Sequence, residues 1–326
     1  MSTPTPTTPP ETRSVDSSSR RRGGRGRAGP SLVSRRRRTT AIAGILFVAP
    51  AAIYILVVFV GPVIYGLGLS FTDYNPMSRG GPEWHGLDGY RAVLTSGRFW
   101  SAIGVTVYYA IGTLALAVPI SLGVAVLVNR SVPGITLFRS IIFAPRVVSL
   151  VSVSMIWLWL YSRDGFFNYL LDLVGLQPVN WLNDPDLTIW SLIVMRSWKA
   201  LGGNMILFLA ALQQVPLTLH EAARVDGAGR WQAFRHVTLP AIRPMTTYVV
   251  ATNLIFLAQS FSEIFILTGG GPLETTTVVN MLIYTEAFQY NRLGHASAMA
   301  FVLFTLIFAL AYFNVRVMTR RSEPTP

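Results

Sequence analysis

Four residues spaced three, four and three positions apart form a polar pattern inside a long apolar segment. They are Asn253, Phe256, Ser260 and Glu263. This spacing predicts that the four side chains share one face of a helix. An amide, an aromatic ring, a hydroxyl and a carboxyl on one face could bind a solute with apolar ring faces and hydroxyl edges, as a sugar has. The same face could instead pack against neighbouring helices.

Ionisable side chains inside apolar segments are a second pointer to function, because an unpaired charge facing lipid is costly. Arg196 and Lys199 lie in one apolar segment, and Glu263 lies toward the outer end of another. These charges could line a cavity for a solute, or Glu263 could pair with Arg196 or Lys199 and hold the helices together. The residues alone leave both interpretations open. The candidate solute path comprises the four spaced residues together with Arg196 and Lys199.

No arrangement of residues in the sequence indicates an enzyme active site. A nucleotide-binding P-loop needs a lysine between glycine and serine or threonine, but the only lysine, Lys199, lies between Trp198 and Ala200. The four histidines are scattered, and neither His-Glu-x-x-His nor Gly-x-Ser-x-Gly occurs. Cysteine is absent, which excludes disulfides and thiolate metal sites. We expect no catalytic residues, no cofactor and no metal on this chain, so any ATPase would be another polypeptide.

Long apolar segments indicate the class of protein. Hydrophobic residues make up 51% of the chain, and a helix needs roughly 20 apolar residues to cross a bilayer. Six runs approach or exceed that length, at residues 41–69, 102–128, 140–161, 187–212, 245–267 and 293–317. The sequence therefore predicts an all-α integral membrane protein with six transmembrane helices.

The first 40 residues have a different composition from the rest of the chain. Residues 1–40 are rich in Pro, Thr, Ser, Gly and Arg, so we expect a disordered basic tail. Nucleic acid could bind such a tail, but beside a membrane span an anchor attracted to anionic lipid is favoured. The following apolar run is too long for a cleaved signal peptide, whose apolar core has roughly 7–15 residues. It therefore predicts an uncleaved span.

The distribution of arginine among the loops predicts the orientation in the membrane. Cytoplasmic loops carry the excess of Arg and Lys, and the tail alone contains ten arginines. With the N-terminus inside, most acidic residues fall outside, and residues 216–244 fall inside. An even number of spans then places both termini in the cytoplasm, with residues 319–326 as a short C-terminal tail.

Residues 216–244 form a polar island between the fourth and fifth apolar runs. Thr218 and Glu221 have the spacing of a capping box, which predicts the start of a short helix. Gly227 is expected to end this helix in a left-handed conformation, because a residue without Cβ adopts it readily. The island therefore contains a sharp corner.

A second short helix is expected after the corner. Trp231 and Phe234 recur at helical spacing on one face, and Pro240 is expected to end the helix. Aromatic residues exposed on a short helix predict a partner with a matching groove.

The sequence of this island resembles the cytoplasmic coupling loop of permease subunits in binding-protein-dependent ABC importers. The residues that carry the resemblance are Glu221-Ala222-Ala223, Asp226-Gly227-Ala228, Trp231, Phe234 and Leu239-Pro240. Trp231-Gln232 and the lead-in from Leu212-Gln213 to Pro216 are similar to the carbohydrate-uptake branch of that family. The resemblance extends from roughly Pro50 to Met318.

The resemblance implies a six-span permease domain at residues 41–318 in the cell membrane, containing the coupling loop. Its partners would be a second permease subunit of similar fold, two cytoplasmic ATPase subunits and an extracytoplasmic solute-binding protein, with no nucleic acid. Transport would proceed by alternating access, and the solute would be a sugar, an oligosaccharide or a glycerol-phosphate-like polyol. A permease for another solute class, an ion-coupled secondary transporter and a membrane scaffold remain as alternatives.

Overall fold

The computed structural model describes residues 45–130 and 132–320. The predicted disordered tail at residues 1–40 and the end of the predicted C-terminal tail lie outside the described residues. The chain divides into two compact units after Gly61.

Helices make up most of the described chain. In order they are α1 (Ile45–Leu69), α2 (Asp88–Thr95), α3 (Gly97–Val128), α4 (Ile135–Val147), α5 (Leu150–Leu160), α6 (Phe166–Leu173), α7 (Thr188–Gln213), α8 (Leu217–Val225), α9 (Arg230–Ala241), α10 (Arg243–Ala258), α11 (Ser262–Leu267), α12 (Val279–Tyr284) and α13 (Leu293–Arg320). Wider π turns occur within α1 at Ile55–Val60, within α9 at Phe234–Thr238, and after α12 at Thr285–Gln289.

Four of these helices are long and apolar enough to cross a membrane. They are α1, α3, α7 and the Leu293–Asn314 part of α13. Two pairs of shorter helices pass the same test together but are bent, α4 with α5 by 99° and α9 with α10 by 64°. The prediction of a helical membrane protein is confirmed, with four to six candidate spans in the described part of the chain.

The third predicted span, residues 140–161, is not one continuous helix. The structure has α4 and α5 instead, and the chain is extended between them at Val148 (φ −67°, ψ 142°). Pro145 lies in the last turn of α4, where it supplies no N–H to continue the helical hydrogen bonds. Apolar length predicted the segment, but it carried no information about the bend.

The fifth predicted span, residues 245–267, is also interrupted. Helix α10 ends at Ala258, and α11 begins only at Ser262. Between them Phe261 has a non-helical backbone (φ −151°, ψ −58°). The prediction that Asn253 and Glu263 share one continuous helix face is therefore wrong, because they lie on different helices.

A small strand pair modifies the all-α prediction in the loop after α1. Strands β1 (Thr72–Asp73) and β2 (Glu83–Trp84) pair antiparallel, with Thr72 opposite Trp84. The ring of Phe71 stacks on Trp84 with centroids 5.6 Å apart. This pair closes the loop that connects α1 to α2.

The packing of the second unit is centred on α3 and α7. Tyr109 of α3 and Leu192 of α7 are fully buried in one apolar cluster. Val128 and Phe208 belong to a second cluster near the other ends of the same two helices. Helix α4 approaches α7 so closely that a Cβ at Gly202 would lie 2.8 Å from the Cα of Phe143. The two long helices thus form the frame on which the bent helices are placed.

Large apolar side chains remain exposed on the candidate spans. Phe47 of α1 is 90% exposed, and Phe304, Phe308 and Phe313 of α13 are each more than 60% exposed. Surfaces of this kind are too extensive for a water-soluble monomer, but a bilayer would cover them.

Candidate functional site

The first helix of the predicted coupling loop begins two residues earlier than its sequence pattern indicated, since a cap at Thr218 would have started the helix at Leu219. Helix α8 starts at Leu217 after Pro216, and no side chain accepts a capping hydrogen bond there. The predicted capping box at Thr218 is therefore wrong. Pro216 (φ −59°, ψ 133°) leads directly into the helix, and its carbonyl accepts a hydrogen bond from the N–H of Leu219 at 3.2 Å.

The predicted corner at Gly227 is confirmed. Its φ is +78°, in the left-handed region that favours glycine. The N–H of Gly227 donates to the carbonyl of Arg224 at 3.0 Å, and the N–H of Ala228 donates to the carbonyl of Ala223 at 2.9 Å. These two bonds satisfy the last carbonyls of α8 while the chain reverses.

Helix α9 presents an exposed aromatic residue after this corner. The side-chain carbonyl of Gln232 accepts a hydrogen bond from the N–H of Gly229 at 2.9 Å, which caps the start of the helix. Trp231 is 70% exposed and stacks on Phe234 with centroids 5.6 Å apart. The structure therefore has the predicted aromatic face on a short helix.

Pro240 does not end the second helix, contrary to the prediction. It lies inside α9, which continues to Ala241 before the bend at Ile242. A proline ring collides with the carbonyl four residues earlier in a regular α-helix. The π turn at Phe234–Thr238 widens the helix over that position, so the proline is accommodated.

The nine predicted coupling residues are distributed along the two sides of the loop. Ala223 is buried, and Ala228 and Phe234 are half-buried. The others are exposed: Glu221, Ala222, Asp226, Gly227, Trp231 and Pro240. Leu217 and Val225 add further apolar surface, being 77% and 88% exposed. The loop therefore offers an uncovered surface that combines apolar and charged groups.

The candidate solute path contains a buried ion pair. Glu263 is 1% exposed, and its carboxylate lies 3.5 Å from Nε of Arg196. The hydroxyl of Tyr109 donates a hydrogen bond to the same carboxylate at 3.1 Å. Of the two pairings left open for Glu263, the structure has the one with Arg196. Helices α3, α7 and α11 thus meet at one charged cluster.

Lys199 contacts the backbone at the bend between α4 and α5. Its Nζ donates to the carbonyls of Pro145 and Val148 at 2.6 Å each, and to that of Arg146 at 3.3 Å. Residues at the end of a helix leave carbonyls without intrahelical partners. A single ammonium group supplies those partners here, so Lys199 stabilises the bend.

The other predicted path residues have separate environments. The side-chain amide of Asn253 donates to Asn204 at 2.9 Å and to the carbonyl of Val249. Ser260 is buried in the break between α10 and α11, and its hydroxyl has no hydrogen-bond partner among the described residues. Phe256 is 58% exposed. Phe256 is therefore the member of the predicted face that remains open to a solute or to another subunit.

The sequence did not indicate that some other residues take part in polar contacts of this kind. Tyr109 and Asn204 lie in apolar helices, far along the chain from Glu263 and Asn253. Arg98 is another case, since it forms an ion pair with Glu274 at 2.6 Å and lies 3.6 Å from Glu286. Only the positions of charges within or beside the apolar runs could have suggested such pairs.

The described residues do not form a metal centre. Within residues 45–130 and 132–320, no group of three or more His, Asp or Glu side chains could hold a metal ion. Glu263, Arg196, Lys199 and Asn253 are instead paired with other side chains or with backbone carbonyls, whereas the Ser260 hydroxyl has no partner among the described residues. Such an arrangement holds polar and charged side chains within an apolar region.

Comparison with known proteins finds relatives that are named as transport permeases. YesP, a probable ABC transporter permease of Bacillus subtilis, is 33% identical over 84% of this chain and 89% of its own length. The trehalose/maltose transport permease MalF of Thermococcus litoralis is 30% identical over 87% of this chain and 97% of its own. The arabinooligosaccharide transport permease AraP of B. subtilis is 30% identical, covering 83% of this chain and 87% of its own.

A solved structure has a similar fold over nearly the whole chain. A bacterial ABC transporter involved in import of the acidic polysaccharide alginate contains a chain 26% identical to this one, with a TM-score of 0.75. The match covers 90% of this chain and 99% of that chain. A family model described as the inner membrane component of binding-protein-dependent transport systems matches residues 93–324. This protein belongs to that family, the permease subunits of ABC importers.

Proposed function

We propose that this chain is the permease subunit of an ATP-driven importer for a sugar, an oligosaccharide or a glycerol-phosphate-like solute. The corner at Gly227 between two short helices carries the proposal, since it exposes Trp231 for a partner (φ +78°; 70% exposed). The names of MalF and AraP, and the alginate importer, support a carbohydrate solute.

The proposed assembly has a second permease subunit, two ATPase subunits inside and a solute-binding protein outside. A related alginate transporter has been solved in complex with its periplasmic protein bound to an alginate pentasaccharide, which supports the external partner. ATP hydrolysis takes place on the ATPase subunits. Closure of those subunits moves α8 and α9, and the spans rock to open the central cavity to the other side.

The proposed topology has six spans in the cell membrane, with both termini in the cytoplasm. The spans are α1, α3, α4 with α5, α7, α10 with α11, and α13. In this arrangement the break between α10 and α11 lies within the fifth span, where an irregular backbone is tolerated if protein or a cavity surrounds it. We assign Phe256 to the wall of the solute path, Asn253, Ser260 and the Arg196–Glu263 pair to its surroundings, and Lys199 to the bend.

Single-cysteine labelling tests the proposed orientation. The cysteine-free sequence provides the background, and Leu217→Cys and Met77→Cys place thiols at sites that are 77% and 78% exposed. A membrane-impermeant maleimide added to intact cells should label position 77 and leave position 217 unlabelled. Permeabilised cells should show labelling at both. Labelling at 217 but not at 77 in intact cells would reverse the proposed topology.

Two glycines in the coupling loop provide a matched test of coupling. Valine at position 227 must adopt φ near +78°, a strain of about 1–3 kcal/mol or more for a β-branched residue. Gly229 has φ −69°, and a Cβ there would meet only Gln232 at 3.7 Å. We expect Gly227→Val to reduce ATP-dependent uptake severalfold and to release the ATPase or uncouple it, whereas Gly229→Val keeps most uptake. Equal uptake by the two variants would show that coupling does not need the corner.

A further inference from the structure

A small cavity lies between the coupling loop and the ends of two candidate spans. Its volume is about 280 Å³. Val126 near the end of α3 and Leu212 near the end of α7 line it on one side, and residues of α8 and α9 line it on the other. This volume is slightly below the roughly 300–1,000 Å³ of sites for drug-sized molecules. The cavity therefore suits a single small group.

The polar lining of this cavity can carry positive charge but no negative charge. Arg224 and His220 come from α8 and Arg230 comes from α9, whereas no Asp or Glu contributes to the lining. Glu221 and Asp226 lie on the same loop but outside the cavity. A cavity with two guanidinium groups and one imidazole favours an anion.

Neither arginine has a counter-ion in the structure. In the part of the chain that the structure describes, the ion pairs involve Arg98, Arg196 and Arg292, and none involves Arg224 or Arg230. Both arginines line the cavity and are exposed. Their hydrogen-bond donors are therefore available to a ligand, and planar guanidinium groups match the oxygens of a phosphate.

Apolar side chains make up another part of the cavity lining. Leu212 is 7% exposed, Phe234 is half-buried and Val126 is 37% exposed. The hydroxyl-bearing Thr238 and the amide-bearing Asn129 complete the polar part of the wall. Because Val126 and Leu212 lie within two residues of the ends of candidate spans, the cavity is at the level where lipid headgroups begin.

We propose that this cavity binds a phosphate ester, held by Arg224 and Arg230 against the coupling loop. The phosphate belongs to an anionic lipid headgroup or to a small phosphorylated solute. A bound phosphate bridges Arg224 of α8 and Arg230 of α9, on either side of the corner. The ligand thereby influences how the loop moves with its ATPase partner. The site would therefore regulate coupling and would be separate from the solute path.

Native mass spectrometry of the purified importer tests the proposal. The probes are short-chain phosphatidylglycerol, glycerol 3-phosphate and, as a zwitterionic comparison, short-chain phosphatidylcholine. The cavity variant is Arg224→Gln with Arg230→Gln. The matched control is Arg235→Gln with Arg243→Gln, which removes the same charge from exposed positions of the same segment outside the cavity.

We expect one phosphate probe per copy of the chain, with an affinity at least about tenfold weaker in the cavity variant and nearly unchanged in the control. Replacing both arginines by lysine should restore part of the affinity, because the charge returns without the planar geometry. Preference for phosphatidylglycerol identifies the lipid as the source, and preference for glycerol 3-phosphate identifies a soluble ligand.

Equal weakening of probe binding in the cavity and control variants would overturn the proposal. Loss of the ATPase subunits without any change in probe binding would overturn it too, and would assign the arginines to the ATPase interface.

Discussion

Lys199→Met is expected to deplete the assembled complex and lower its melting temperature. The methionine keeps the apolar stem, but the carbonyls of Pro145 and Val148 lose donors that lie 2.6 Å away. A hydrogen bond to a charged group contributes about 1.5–3 kcal/mol, so the loss of two should cost about 3 kcal/mol or more. The bend between α4 and α5 then lacks its main polar support. Thermal unfolding of the purified complex, followed by intrinsic fluorescence, measures the effect.

Arg146→Met is the matched control for Lys199→Met. It removes a neighbouring cation, but the exposed side chain of Arg146 donates to none of the carbonyls at the bend. We expect this variant to stay close to wild type, and Lys199→Arg to retain part of the stability because it keeps donors and charge. If Lys199→Met unfolds at the wild-type temperature, the bend is maintained without the ammonium group.

Breaking the buried ion pair on one side is expected to destabilise the complex more than removing both partners. Glu263→Leu leaves the guanidinium of Arg196 largely buried without its counter-ion, since the side chain of Arg196 is only 17% exposed. Removing one partner of a buried pair costs about 3–5 kcal/mol. The double variant Arg196→Leu with Glu263→Leu leaves no unpaired charge and should recover most of the assembled complex.

Tyr109→Phe serves as the control for this pair. It removes only the hydroxyl that donates to Glu263 at 3.1 Å and keeps the buried ring. A loss of about 1.5–3 kcal/mol is expected, the net contribution of one hydrogen bond to a charged group. The amount of complex and its unfolding temperature, measured for the single and double variants, give the coupling energy. Strictly additive effects would show that Arg196 and Glu263 do not stabilise each other.

The coupling loop could be predicted in detail because its geometry depends on neighbouring residues. The left-handed turn at Gly227 follows from a glycine placed after the last turn of a helix, and the structure has it. The predicted start of α8 lies two residues after the observed one, because Thr218 can cap a helix but Pro216 already occupies the N-cap position. The π turn before Pro240 was not predicted, since a proline more often ends a helix than widens it.

The bends in the membrane segments could not be predicted in the same way. The length of an apolar segment predicts whether it can cross a bilayer. It does not predict whether the helix is straight or bent. At the break after Val147, the freed carbonyls accept hydrogen bonds from Lys199, which lies about fifty residues away in the sequence. The break at Phe261 has neither proline nor glycine beside it. Neither the Lys199 contact nor the break at Phe261 has a local sequence signal.

The predicted polar face illustrates the limit of periodicity. The spacing from Asn253 to Glu263 is helical, but the helix does not continue through Ser260. The residues that pair with this segment, Asn204, Arg196 and Tyr109, come from α7 and α3. The sequence indicated that Glu263 needs a partner inside the membrane, and it predicted either Arg196 or Lys199 as that partner. It could not locate Tyr109, because a tyrosine in an apolar helix carries no such signal.

Uptake by proteoliposomes tests the central claim most directly. The chain is co-reconstituted with its partner permease and ATPase subunits, the solute-binding protein is added outside, and ATP is enclosed inside. A labelled oligosaccharide that the binding protein recognises should accumulate in the vesicles only when both ATP and the binding protein are present, and Gly227→Val should abolish most of that accumulation. Accumulation driven by an ion gradient without ATP, or uptake that needs no binding protein, would contradict the assignment of this chain as the permease of an ATP-driven importer.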